Sequence, residues 1–138
     1  MAGVEDLKSM WLSLKAHVDQ LAGERRQYLD FFEQSQEAYV VTDAQGTILH
    51  VNGAAVDVLQ RRRRDLAGQP IAAMVALERR TEFRSRLRRV CAREPGAPRS
   101  FTTVLEAPEL RTEVTVTLRA IERDGAVTGL CWLLRAVQ

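Results

Sequence analysis

Apolar side chains recur in steps of three and four near the start of the chain, at Val4, Leu7, Trp11, Leu14, Val18 and Leu21. That spacing lays one stripe along a helix, the a and d positions of a short heptad pattern. Continued, the register meets Arg25, Tyr28 and Phe32, so a cation interrupts the stripe. Gly23 weakens the helix just before the break, by about 1 kcal/mol relative to alanine. A seam over residues 4–22, a weak point at Gly23 and a second helical run to about residue 35 are expected. The seam is narrow enough to lie on the chain's own sheet or to pair with a second copy.

After residue 37 the period changes. AYVVTD and TILHVN are short runs of β-branched and aromatic residues joined by Ala44-Gln45-Gly46, which reads as a β-hairpin. Asn52 follows and is a good N-cap for GAAVDVLQ. Arg61–Arg64 and the loop DLAGQP come next, then an amphipathic helix over residues 77–93 with Phe83, Leu87, Val90 and Cys91 on one face. Pro95, Gly96 and Pro98 end it.

Three strand-like runs close the chain: SFTTVLE, TEVTVTLRAI and AVTGLCWLLRA. The second alternates, with Val114, Val116, Leu118 and Ala120 inward, and Asp124-Gly125 turns the chain into the third. In that last strand Leu130, Cys131, Trp132, Leu133 and Leu134 are apolar without interruption. A strand of an open antiparallel sheet normally shows water on one side. Both faces must therefore be covered, one by the short helices and the other by the N-terminal helix or a second subunit.

Composition narrows the class. With 138 residues the chain holds one domain of ordinary size. No window of about 18 apolar residues occurs and the first residues lack a secretory pattern, so a cytoplasmic location away from membranes is expected. Residues 1–36 carry four basic and six acidic side chains, net −2, and residues 37–138 carry sixteen and twelve, net +4. The arginines of 61–64 and 79–93 could meet nucleic acid, but aromatic residues are not interleaved with them and no binding motif accompanies them, so a solvated helix face is favoured. Cys91 and Cys131 are the only cysteines and read as buried thiols, not as zinc ligands.

From about residue 30 to 138 the sequence resembles a PAS domain. AYVVTDAQGTILHVNGAAVDVLQ is similar to the family's opening hairpin and helix, with Asp43, Gly46 and Asn52 at its aspartate, turn glycine and capping asparagine. RDLAGQPIAAMV resembles the turn leading to a short helix, and GAVTGLCWLLRAV resembles the last strand with its central glycine. The resemblance implies an α+β fold: a PAS-like five-stranded antiparallel sheet with short helices on one face, spanning 37–138, preceded by an N-terminal amphipathic helix over 1–36. Asp43, Gly46 and Asn52 are expected to be structural, through turn and cap hydrogen bonds.

Cofactor chemistry finds little support in the residues. Light-sensing relatives form a flavin–cysteine bond after the central helix, where GQPIAAMV has no cysteine. Haem-binding relatives use a histidine of the long helix, which has none here; His17 and His50 lie elsewhere. His50 could ligate a metal, but a strand histidine facing solvent or the leading helix is the favoured reading. No metal site is expected. Neither a phosphate loop nor a nucleophile or paired-carboxylate arrangement occurs, so no catalytic residues are assigned and an enzyme is not expected.

What the resemblance implies is a sensory module of signal transduction, such as two-component regulation. It would be a homodimer that binds a small apolar ligand or a protein partner and transmits the change to an output domain, a histidine kinase or transcriptional regulator. The pocket walls expected are Val40, Thr42, Leu49, Val51, Ile71, Met74, Phe83, Leu87, Val116 and Leu118. The expected dimer interface is Val4, Leu7, Trp11, Leu14, Val18, Leu21 and Trp132, as in a coiled coil. A ligand-free interaction module is the alternative, and a haem- or flavin-binding sensor the second.

Overall fold

The computed structural model describes residues 6–13, 22–97 and 99–137, the side chains of 22–26 and 28 aside. Val4, Leu14, Val18 and Leu21 of the expected seam lie outside the described residues. Helix α1 covers residues 6–13 and α2 covers Ala22–Gln34. The hairpin β1 (Ala38–Asp43) and β2 (Ile48–Val51) follows, then α3 (Gly53–Leu59) and α4 (Arg63–Leu66). Two 3₁₀ turns, Ile71–Met74 and Leu77–Arg79, lead into α5 (Arg80–Cys91). Strands β3 (Ser100–Ala107), β4 (Leu110–Arg123) and β5 (Ala126–Ala136) complete the chain.

The five strands form one antiparallel sheet in the order β2-β1-β5-β4-β3. Its centre is β5, which explains the uninterrupted apolar run: a central strand covered on both faces has no side for water. The edge strand β2 is closed off by the loop after α4. Gly68 donates its N–H to the Ile48 carbonyl, Ile48 donates to Gln69, and Thr47 bridges to Pro70. An edge covered in this way offers no free ladder to another chain.

Two apolar clusters flank the sheet. The larger lies between the sheet and α3–α5 and includes Val40, Leu118, Leu130 and Trp132. The smaller, on the opposite face, joins Tyr39, Val41, Ile121, Cys131 and Leu133 to Leu7 and Met10 of α1 and Phe32 of α2. The chain's own N-terminal helices thus cover the second face. The helix expected from residue 77 begins at Arg80, because Val75 bridges to Leu105 and Ala76 donates to the Val104 carbonyl. Those contacts hold the preceding backbone against β3, and a 3₁₀ turn makes the change of direction.

Candidate functional site

The inner face of the sheet is occupied by rings. Phe83 of α5 stacks on Trp132 with centroids 5.4 Å apart and planes 14° apart, and Phe101 meets Phe83 edge-on at 5.9 Å. Arg86 lies over the Phe101 ring, its Cζ 5.0 Å from the centroid. Trp132 Nε1 donates to Thr42 Oγ1 at 3.0 Å, and that hydroxyl donates to the Asp43 carbonyl at 2.8 Å. A buried indole donor would be costly without such a partner.

The structure brings Val40, Thr42, Val51, Ile71, Met74, Phe83, Leu87, Val116 and Leu118 to this inner side, all buried. Leu49 is corrected. It is 50% exposed, while Ile48 is buried in its stead. The β1–β2 register shifts between Val41 and Thr42, pairing Val41 with His50 and Thr42 with Ile48. Leu49 is the extra residue of that bulge and swings out of the alternation. His50 is exposed on the edge strand.

Two expected interface residues are corrected as well. Trp132 pairs with Val40 and Leu118, both inner, so its ring faces the helices and not a second subunit. Leu7 is fully buried against the chain's own sheet, and Trp11 is half-buried beside it. On the outer face Cys131 and Leu133 take the positions that Trp132 was expected to hold. Burial pushes the Cys131 thiol up to about 12. Burial, with Glu37 and Asp6 nearby, raises the Tyr39 hydroxyl to about 12.

Between the two faces sits Asn52, with no exposed surface. Its Oδ1 accepts from Ala55 N at 3.0 Å, the helix cap expected, and also from Tyr39 N at 3.0 Å. Its Nδ2 donates to the carbonyls of Phe32 at 3.0 Å and Glu37 at 2.8 Å. Every amide donor is used and the oxygen accepts twice, joining the end of α2, the start of β1 and the start of α3. Arg135 donates to Glu37 at 2.9 Å over the same junction, and Arg63 pairs with Glu33. Asp43 Oδ1 accepts from Gln45 N and Thr47 N, both at 2.9 Å, and Gly46 takes φ +87° at the turn. Sequence reasoning missed Tyr39 and Met10; Phe32 it places on the continued register of the leading stripe. The alternation of Tyr39 with Val41 was the one signal that could have placed Tyr39 on the outer face.

Among the described residues no group of three or more His, Cys, Asp and Glu side chains is placed to hold a metal ion. No helix among them is long and apolar enough to cross a membrane.

A five-stranded antiparallel sheet with short helices on one face and helical segments on the other is the α+β architecture that the sequence led us to expect. The chain belongs to the PAS fold family, whose model matches residues 32–138, and is a PAS sensory domain. It is similar in fold to the PAS domain of an HTR-like protein from Haloarcula marismortui, at 20% identity and TM-score 0.68, covering 89% of this chain and 99% of that one. A PAS domain from Colwellia psychrerythraea matches at 18% identity and TM-score 0.71, covering 81% and 95%. The PAS domain of a two-component sensor histidine kinase matches at 15% identity and TM-score 0.67, covering 83% and 96%. No curated protein matches the sequence.

Proposed function

We propose that this PAS domain is a cytoplasmic, dimeric relay module. It responds to a small apolar ligand or a protein partner and passes the change through its N-terminal helices to an output region such as a histidine kinase or transcriptional regulator. The observation that carries this reading is Asn52, one side chain hydrogen-bonded to the end of α2, to β1 and to α3. A shift of α3 or β1 on the inner side must move or break a bond to Phe32, so core and leading helices are mechanically joined. Relay of this kind needs two arrangements with different affinity for the signal. The similarity to a PAS domain of a sensor histidine kinase supports a kinase as one output.

The dimer is supported by apolar positions that the chain leaves uncovered on the leading helices, Leu12 at 54% and Phe31 at 64% exposure. Sedimentation of the parent chain and of Phe31→Glu tests it: a dimer that becomes monomeric on substitution is expected. A parent chain that is monomeric at every concentration removes the dimeric half of the reading.

The Phe83–Trp132 stack favours a second reading, a ligand-free interaction module, because rings already fill the space between α5 and the sheet. Native mass spectrometry separates the two. A retained apolar molecule supports sensing, and its repeated absence with no thermal shift across an apolar ligand set supports the interaction module.

A further inference from the structure

We propose that a surface groove between the β1–β2 turn and α5 binds a small amphiphilic anion, an apolar body carrying one carboxylate. The groove has a volume of about 510 Å³ and is lined by Gly46, Ile71, Leu87 and Cys91, with Arg84 and Arg88 on α5. Small-molecule sites typically enclose about 300–1,000 Å³, mostly apolar with a few placed polar groups. The apolar lining follows from the fold. Ile71 N donates to the Gly46 carbonyl at 2.8 Å, drawing the turn against the 3₁₀ segment. A Cβ on Gly46 would stand 3.1 Å from Leu87 Cδ2 and 3.6 Å from Ile71 Cγ2, so the glycine keeps a side chain out of the groove.

The charge is what selects the ligand. Along α5 and the turn after it, Arg86 pairs with Glu82, Arg89 with Glu94 and Arg93 with Glu122. Arg84 and Arg88, one helical turn apart, have no carboxylate partner among the described residues, and no acidic residue lines the groove. A second arginine-lined groove differs. Beside Arg61, Arg80 and Arg111 it holds Glu106 and Glu109, Arg80 donates to the Val75 and Ala73 carbonyls, and Arg111 pairs with Glu78 and Glu106. Two unpaired guanidinium groups one turn apart can hold a carboxylate by charge-assisted hydrogen bonds while its tail lies along the groove against Pro70, Cys91 and the edge of Leu87. This groove opens at the surface without Phe83 or Trp132 in its lining, and stands whether or not the relay reading does.

Cys91 supplies a reporter. It is half-buried in the groove, its Sγ 3.2 Å from the Ala44 carbonyl, whereas Cys131 is closed to reagents at 1% exposure. The test is alkylation of native protein by a maleimide, followed by mass spectrometry, with decanoate, decanol or buffer present, and calorimetric titration of both compounds. Decanoate is expected to slow Cys91 labelling and to bind about tenfold more tightly than decanol, the scale of a charge-assisted hydrogen bond. Arg84→Glu and Arg88→Glu are each expected to erase that preference, and Arg64→Glu, an equal charge change outside the groove, to keep it. All three positions are exposed, so the fold is retained. Equal binding of decanoate and decanol overturns the proposal, as do binding without protection of Cys91 and an equal loss in all three variants.

Discussion

Asn52 Nδ2 donates to the carbonyl of Phe32 at 3.0 Å, joining two residues twenty positions apart. Phe32 is the last outer-cluster side chain of α2, and its carbonyl is among those a helix end leaves without a partner in its own helix. The same side chain that starts α3 therefore ends α2, and the outer and inner faces of the sheet meet at one amide.

Asn52→Ala is expected to destabilise the domain by about 3–5 kcal/mol, since four bonds of about 0.5–1.5 kcal/mol net are lost and buried groups stay unpaired. Asn52→Asp is expected to be damaging in a different way. Its oxygens still accept from Tyr39 and Ala55, but a carboxylate then faces the Phe32 and Glu37 carbonyls. Urea unfolding with limited proteolysis checks this: α2 should become protease-sensitive in both variants before the sheet unfolds. A variant as stable as the parent, with α2 still protected, removes Asn52 as the joint.

Phe83→Ala is expected to cost about 3–5 kcal/mol, the range for emptying an aromatic site in a packed core. Phe83→Leu should recover most of that, because it refills the volume beside Trp132 without the stacked geometry. Thermal melting of the two variants decides. Near-neutral Phe83→Ala would mean that the space between α5 and the sheet is slack, and a ligand there would then need no displacement of rings.

The strands, their hairpins and the helix cap were legible because each is local: Asp43 and Asn52 act on residues within four positions of themselves. The further partners of Asn52 were not legible, since Tyr39, Glu37 and Phe32 are brought to it by strand pairing and helix docking. Leu49 misled because alternation predicts a face only where the register is unbroken, and the bulge at Val41/Thr42 adds one residue. Trp132 misled for another reason. A strand apolar at every position has no alternation to say which face is which, and only its pairing with Val40 and Leu118 decides.

Gly129 of β5 pairs with Asp43 at the end of β1. A Cβ there would lie 3.0 Å from the Thr42 carbonyl oxygen and 3.5 Å from Ile121 Cδ1. Gly129→Ala is expected to destabilise by about 1–3 kcal/mol, the usual cost of overpacking, and Gly129→Val by more. Chemical denaturation of both variants tests the order. If valine is tolerated as well as alanine, the strands can part there and the close approach is not what holds glycine.

Cys131 makes stability depend on alkaline pH. Its folded thiol is raised from the ordinary 9.0 to about 12 by burial, so it keeps its proton where an unfolded chain loses it. The folded state then holds more protons than the unfolded one, and stability must fall as pH rises. The contribution is whole below pH 9.0 and is lost progressively toward about 12, at up to about 1.4 kcal/mol per pH unit. Urea midpoints at pH 8 and pH 10 for the parent and for Cys131→Ala isolate most of the effect, because Tyr39 is raised chiefly by burial, Glu37 and Asp6, which both proteins keep, and only to a lesser degree by Cys131. The parent should lose about 1.4 kcal/mol more than the variant over that interval. Parallel losses would mean that the thiol ionises as freely in the folded sheet as in the open chain, and that α1 and α2 do not seal the outer face.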